Sequence, residues 1–306
     1  MAKRIFTNPV CVVIFAVLCN VLWGSAYPAI KIGYELFNIT DNVFEKLLFA
    51  GARFTAAGLA VLTVSGISKR KFPTVKKAAL PQVLAMAVIY TAAQYVFFYI
   101  GLYNTTGTNG SIVNSTQTFM AVIAAHFLYK DDRLNARKIA GSLLGFAGVL
   151  LVTAGGGSVS FKPMGEEFIL IAALCFVIGS IFSKIAAQRD DAMNVTGYNL
   201  LIGGIILSAI GFIGGGRLAF TSAGAVWILA YLAFLSAAAF TIWTMLLQYN
   251  PIGKIAVFNF IIPVSGTILS AVFLKENILD PRYLISLALV CAGIVIVNMK
   301  KHRKGI

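Results

Sequence analysis

The chain has 306 residues, 59% of them apolar and only 12% charged, with a mean hydropathy of +0.86. A water-soluble domain carries about 25% charged residues, so a soluble globular fold is excluded. The formal net charge of +14 invites a nucleic-acid partner, but the placement of the charges argues for a lipid surface instead.

Ten apolar segments follow one another, each near the ~20 residues that a bilayer requires: about 10–30, 45–65, 81–102, 109–129, 138–154, 166–186, 195–214, 223–246, 255–274 and 283–299. Connections are short, which leaves no room for a sizeable soluble domain. The first segment is too long for a signal-peptide core and has no small-residue cleavage site before a soluble region, so it reads as a retained helix. With the N-terminus placed inside, 18 Lys and Arg fall at inner helix ends and 6 at outer ends, and Arg53 lies within a segment. The inner clusters are Lys3–Arg4, Lys69–Lys77, Lys130–Lys138, Lys184–Arg189, Lys254 and Lys300–Lys304. This is the positive-inside pattern. It puts both termini in the cytoplasm, directs the basic patches to anionic headgroups and requires no nucleic acid.

Segment 1 carries Trp23-Gly24-Ser25-Ala26-Tyr27-Pro28. Gly24 and Ser25 permit close helix approach, Pro28 removes a backbone donor and can kink the helix, and Trp23 and Tyr27 share one face. Packing and a cavity wall both account for the two rings. Segment 6 repeats the Gly-Ser pair at Gly179-Ser180. Segment 2 holds Arg53, the one cation clearly inside a span, hence a candidate charge or gating residue; snorkelling or pairing with Glu45 are its structural alternatives. Apart from Arg53, the run from Phe49 to Gly66 reads as a plain membrane helix. Segment 3 carries Tyr90 and Gln94 on one face, and a mid-membrane Gln should point inward. Segment 4 is unusually polar at its start, from Asn104 to Thr118, and must face protein or water. Segment 8 supplies Trp243, Ser236, Thr241 and Thr244. The four cysteines, Cys11, Cys19, Cys175 and Cys291, lie in apolar segments without metal spacing, and neither His126 nor His302 suggests a site.

A shift of 145 residues aligns Phe98 with Trp243, Asn114 with Asn259, Thr118 with Pro263, Leu134 with Leu279, Arg137 with Arg282 and Gly148 with Gly293. No gap is needed up to Val152 and Val297. Residues 1–154 and 155–306 thus read as two five-helix repeats. Five is odd, so the second inserts upside down. Pro263 should break segment 9 near Asn259, the pointer expected of a carrier site near the bilayer midplane. For one polar residue, interhelical hydrogen bonding would suffice; two duplicated Asn residues favour a polar cavity where the repeats meet. The fold class is an all-α integral membrane protein, ten transmembrane helices forming two inverted repeats around a central cavity.

WGSAYPAIK, ARF, the FFYIGLYNTTGTNGSIVNSTQTF stretch, and the paired ends FLYKDDRLNARKIAGSLLGFAGVLLV and FLKENILDPRYLISLALVCAGIVIV resemble the EamA family of the drug/metabolite transporter superfamily. The resemblance covers nearly the whole chain. It implies a ten-helix basket whose cavity is formed mainly by helices 1, 3, 4, 6, 8 and 9, with helices 5 and 10 peripheral or facing a second copy in a homodimer. It further implies a cell (inner) membrane carrier that exports amino acids or related metabolites. The family pattern often places proline where this chain has Thr118, so a symmetric kink is not expected.

The candidate cavity residues are Trp23, Tyr27, Tyr90, Gln94, Asn114, Thr118, Ser180, Trp243, Asn259 and Pro263. All eleven acids lie in loops or at helix ends, whereas proton-coupled carriers usually hold one within the membrane. A facilitator or exchanger, or coupling through a less obvious group, is therefore expected, without metal or cofactor. Amides, hydroxyls and rings suit a neutral or zwitterionic small molecule and not a polyanion, which would require several buried cations. A multidrug exporter of hydrophobic cations, an uptake carrier for nucleoside-like metabolites and a non-transporting scaffold are the alternatives. An intramembrane enzyme needs paired carboxylates, a metal set or a Ser–His pair at depth, and the sequence offers none.

Overall fold

Hydrocarbon offers a backbone no hydrogen-bond partners, so a chain this apolar must fold as helices or as a closed barrel. The computed structural model describes residues 2–39, 42–104, 107–130, 132–153, 164–220, 222–274 and 281–299, and among them there is no strand. A short α1 (Ala2–Thr7) precedes α2 (Pro9–Leu36), which is capped by Asn8 and has proline in its first turn. Next come α3 (Val43–Lys69) and a long rod. The rod consists of α4 (Leu80–Met86), a π-helical stretch (Ala87–Ala93) and α5 (Gln94–Asn104). Then come α6 (Gly107–Leu128), α7 (Ala136–Thr153), α8 (Glu166–Arg189), α9 (Ala192–Ile213) and α10 (Ala223–Tyr249). The last rod is broken: α11 (Ile252–Ala256), a 3₁₀ turn (Val257–Phe260) and α12 (Ile261–Leu274), followed by α13 (Pro281–Asn298).

Helix therefore lies on each of the ten apolar segments, and six stretches are long and apolar enough to cross a membrane: α2, α3, the α4–α5 rod, α8, α9 and α10. The chain is a multi-span membrane protein. The 145-residue shift recurs in the helix ends: α5 and α10 end at Asn104 and Tyr249, α6 and α11 begin at Gly107 and Ile252, and α7 and α13 run from Ala136 and Pro281 to Thr153 and Asn298. The residues at which the two halves of the sequence would join, 154–163, lie outside the described residues, as do Thr105, Thr106, the loop residues Lys275, Glu276 and Asp280, and the basic tail from Lys300.

Glycines show how matched helices meet. A Cβ on Gly51 would lie 2.4 Å from the Ser208 amide nitrogen, one on Gly58 2.4 Å from that of Leu201, and one on Gly211 2.6 Å from that of Leu48. As the residue number rises along α3 it falls along α9, so these two helices pack antiparallel, backbone against backbone. The same holds for α7 and α13: Gly141 faces Gly293, and Gly148 faces Ser286. Helices matched by the duplication thus run in opposite senses. The remaining contacts repeat across the halves: α2 packs on α10 and α12, and α8 packs on the α4–α5 rod and α6.

One end of the bundle is stitched by side chains. Asp132 Oδ2 accepts from the Gly253 amide at the start of α11 at 2.7 Å, and Asp132 Oδ1 pairs with Lys138. Lys184 Nζ donates to the carbonyls of Asn250 at 2.6 Å and Leu247 at 3.2 Å. Asn250 in turn donates to Phe6 of α1 at 2.9 Å. Arg189 reaches Ala78, Asn194 reaches Thr74 and Tyr198 reaches Pro73. Lys69 pairs with Asp191 at 2.5 Å. His126 is part of this frame, its Nδ1 accepting from the Leu134 amide at 3.0 Å.

Pro28 lies inside α2, which runs from Pro9 to Leu36. The middle turn of segment 3, Ala87–Ala93, is π-helical. The Asp132 anchor gives a direct test. Lys138 is nearly buried, and removing its partner leaves an uncompensated charge, which costs about 3–5 kcal/mol. Asp132→Ala is expected to lower the thermal unfolding temperature of the purified protein markedly, and a wild-type value would show that the pair contributes nothing.

Candidate functional site

The centre of the molecule is a cluster of five rings drawn from four elements. Trp23 of α2 stands 5.1 Å from Trp243, 5.3 Å from Phe240 and 6.1 Å from Phe176, centroid to centroid. Tyr90, in the π-helical stretch, lies 5.4 Å from Phe176 of α8 and 5.5 Å from Phe240 of α10. Most pairs meet edge to face, the geometry favoured by the ring quadrupoles and worth about 0.5–1.5 kcal/mol per pair beyond burial. All five rings are buried. Yet the indole N–H groups of Trp23 and Trp243 have no hydrogen-bond partner, although buried indoles usually find one.

The π-helical stretch explains how Tyr90 reaches the cluster. A π turn inserts a residue and redirects the side chains after it. Tyr90 then lies flat against Gly179 of α8, where a Cβ would fall 2.3 Å from the ring. Its hydroxyl faces Ser180, the next residue along α8. The neighbouring Thr91 donates to Asn199 of α9 at 3.1 Å. The stretch is therefore held on both sides, by α8 and by α9.

Asn259 sits in the 3₁₀ turn between α11 and α12. Pro263 has no N–H to donate to the carbonyl four residues back, that of Asn259, and its ring crowds that carbonyl. The chain tightens there: the Ile261 amide bonds toward Phe258 and Asn259. The Asn259 side chain is 2% exposed, and neither its Oδ1 nor its Nδ2 has a partner. Such a group costs the free energy of a lost hydrogen bond or more. The break expected of Pro263 is present, and it lies in the turn before the proline.

The other predicted residues are distributed around this centre. Tyr27 packs against Gly266 of α12, and Gly24 one turn earlier approaches Ser265 and the Gly266 backbone. Thr118 is fully buried with its hydroxyl unpartnered. Asn114 is half-buried, and no hydrogen bond joins it to the Asn259 side chain. Gln94 is half-buried, with Oε1 enclosed and unpartnered. Pro263 is half-buried. Arg53 neither snorkels nor pairs with Glu45: it is 1% exposed, and its Nε donates to Ser236 Oγ at 2.8 Å. Among the described residues no group of three or more His, Cys, Asp or Glu could hold a metal. A recess of about 270 Å³ lined by Thr74, Val75, Leu80, Val83, Tyr198 and Ile202 contains none of these residues.

Comparison with known proteins fits this architecture. The EamA-like transporter family matches twice, at residues 10–154 and 163–299. The chain belongs to that family. A WAT1-related chloroplast protein of Arabidopsis thaliana is 28% identical to this EamA chain over 287 residues, spanning 90% of the chain and 66% of the relative. The uncharacterized transporter YvbV of Bacillus subtilis is 25% identical over 287 residues, 92% of this chain and 89% of that one. The uncharacterized inner membrane transporter YedA of Escherichia coli K12 is 25% identical over 290 residues, with the same two shares. A solved crystal structure superposes with a TM-score of 0.79 at 19% identity, covering 93% of this chain and 95% of the other, which shows a shared fold.

In this EamA chain several residues of the centre carried no signal in the sequence. Phe176 and Phe240 are phenylalanines in apolar runs. Asn20 is a lone amide in segment 1; it is fully buried, with its Nδ2 on the Ala16 carbonyl at 2.6 Å and its Oδ1 unpartnered. Its depth in an apolar segment was the available clue. The packing of Tyr90 on Gly179 is testable. Gly179→Ala forces the ring to move, and overpacking of this kind costs about 1–3 kcal/mol. It should lower the unfolding temperature and alter the near-ultraviolet circular dichroism of the ring cluster. Gly224→Ala, where an added methyl meets nothing nearer than 3.5 Å, should change neither.

Proposed function

We propose that this EamA-family protein is a secondary carrier of small metabolites in the cell (inner) membrane. It works by alternating access of ten helices arranged as two inverted repeats, residues 1–154 and 155–306, with both termini cytoplasmic. The observation that carries this reading is the central cluster itself. Rings and unsatisfied polar atoms converge there from helices of both halves, at a depth where unmet polar groups are costly. Indole and amide donors beside aromatic walls suit a solute with an apolar body and a few polar groups. Amino acids and related neutral or zwitterionic metabolites, moved outward, are the substrates we assign. Phe176 and Phe240 add apolar wall to the expected site, which also suits the second reading, an exporter of hydrophobic cations. No catalytic set accompanies the site, so we assign no enzymatic step.

Two outcomes follow. In liposomes loaded with amino acids, Trp243→Ala and Asn259→Ala should cut counterflow by at least about tenfold, equivalent to about 1.4 kcal/mol. Their elution and unfolding profiles should stay close to those of the wild type; unchanged flux in both variants would remove the site assignment. Separately, wild-type flux should follow the solute gradient and not an imposed pH gradient, because every acid among the described residues lies at a helix end or in a loop. Gradient-driven accumulation would show that a proton is coupled through another group.

A further inference from the structure

Three basic side chains are buried among the described residues, and they are met differently. Lys138 has the carboxylate of Asp132, and Lys184 has two backbone carbonyls. Arg53 has no carboxylate or carbonyl among the described residues. Its Nε donates to Ser236 Oγ at 2.8 Å, and that hydroxyl in turn donates to the Leu232 carbonyl at 2.8 Å. Its Nη1 has no partner. Otherwise the guanidinium lies over ring faces, 4.6 Å from the centre of Phe54 and 5.9 Å from that of Tyr95. The Ser236 hydroxyl, the neighbouring Tyr95 phenol and two ring faces, with no counter-charge among the described residues, are thin compensation for a full charge taken out of water.

The surroundings of Arg53 suit an anion. The phenol groups of Tyr34, Tyr95 and Tyr99, from α2 and α5, lie within electrostatic range of the guanidinium and carry further O–H donors. The guanidinium is also one ring from the central cluster, since Phe54 stands 6.1 Å from Phe240, which touches Trp23 and Tyr90.

We infer that Arg53 receives the carboxylate of the carried solute, whose apolar body lies among Trp23, Tyr90, Phe176, Phe240 and Trp243. This rests on the carrier reading above and narrows it to monocarboxylates and zwitterions. The planar N–H fork of arginine matches a carboxylate in a way that an ammonium does not. A lone cation cannot offset a polyanion, and it repels the hydrophobic cations of the rival exporter reading.

Three probes of one shape separate the cases: 3-phenylpropionate, L-phenylalanine and 2-phenylethylamine. Ligand binding raises the unfolding temperature by mass action. The two carboxylates should stabilise the purified wild type, and the amine should not. Arg53→Gln should raise their half-saturating concentration at least about tenfold, equivalent to about 1.4 kcal/mol, and Arg53→Lys should do so less. The inference is overturned if Arg53→Gln holds the carboxylates as tightly as the wild type does. It is also overturned if the wild type prefers the amine, or if no carboxylate stabilises it. Should Arg53→Gln fail to fold, the wild-type ranking of the three probes still decides. Flux in liposomes keeps the two readings apart: movement of the amine alone sinks the Arg53 assignment and leaves the carrier, whereas no flux of any solute sinks the carrier.

Discussion

A polar group enclosed in hydrocarbon must find a partner in the protein or remain costly, and this constraint orders the whole molecule. It makes the backbone helical. It also sorts the side chains into three populations. At the stitched end, Lys184, Asn250, Asp132, Lys138 and Asn194 are met by carbonyls, an amide or each other. Along the α3–α9 contact, glycines let two backbones touch, with the hydroxyls of Thr55 and Ser208 against them and a Ser65–Asn194 hydrogen bond toward one end. At the centre, the indoles of Trp23 and Trp243, the amide of Asn259 and one arm of Arg53 stay unmet. In a lipid environment the third population is the one that packing alone does not explain.

The duplication gives this arrangement its geometry. Because α3 and α9, and α7 and α13, meet antiparallel, each half closes against an inverted partner and not beside a parallel copy. The halves are not identical in detail. Thr118 lets α6 run unbroken through the position where Pro263 splits its counterpart into α11, a 3₁₀ turn and α12. The consequence is local: Asn259 lies in the tightened turn, while Asn114 lies on a regular helix. A single polar break thus distinguishes two halves whose helix ends otherwise repeat.

Much of this frame was legible in the sequence because it depends on period and repetition. The helix ends obey the same 145-residue shift that aligns Asn114 with Asn259, since a duplicated hydrophobic pattern buries the same lengths twice. Trp23, Tyr90 and Trp243 stood out because a ring with a polar tip is conspicuous in an apolar run. Phe176 and Phe240 did not, because a phenylalanine facing lipid and one facing the centre look alike on paper. The π-helical stretch was invisible for a related reason: AVIYTAA suits an ordinary helix, and only the fit of Tyr90 against Gly179 and of Thr91 against Asn199 selects the wider turn. Arg53 was visible as an anomaly, but its partner Ser236 lies 183 residues away, beyond any local reading.

On the carrier reading, the two kinds of contact that hold the bundle divide the work between them. Opening the stitched end would break many hydrogen bonds, but each freed group is a lysine, an asparagine, a carboxylate or a carbonyl that water can solvate at once. The net cost per bond is then the modest difference between protein and water partners, about 0.5–1.5 kcal/mol. Separating α3 from α9 would offer no such return, because the backbone approach at Gly51, Gly58 and Gly211 is dispersion contact that lipid or water would have to replace. The polar end is thus the place where the structure can yield, and the glycine-lined contact of the two inverted halves is the place about which it can turn. The ring cluster lies among the helices that pack on both.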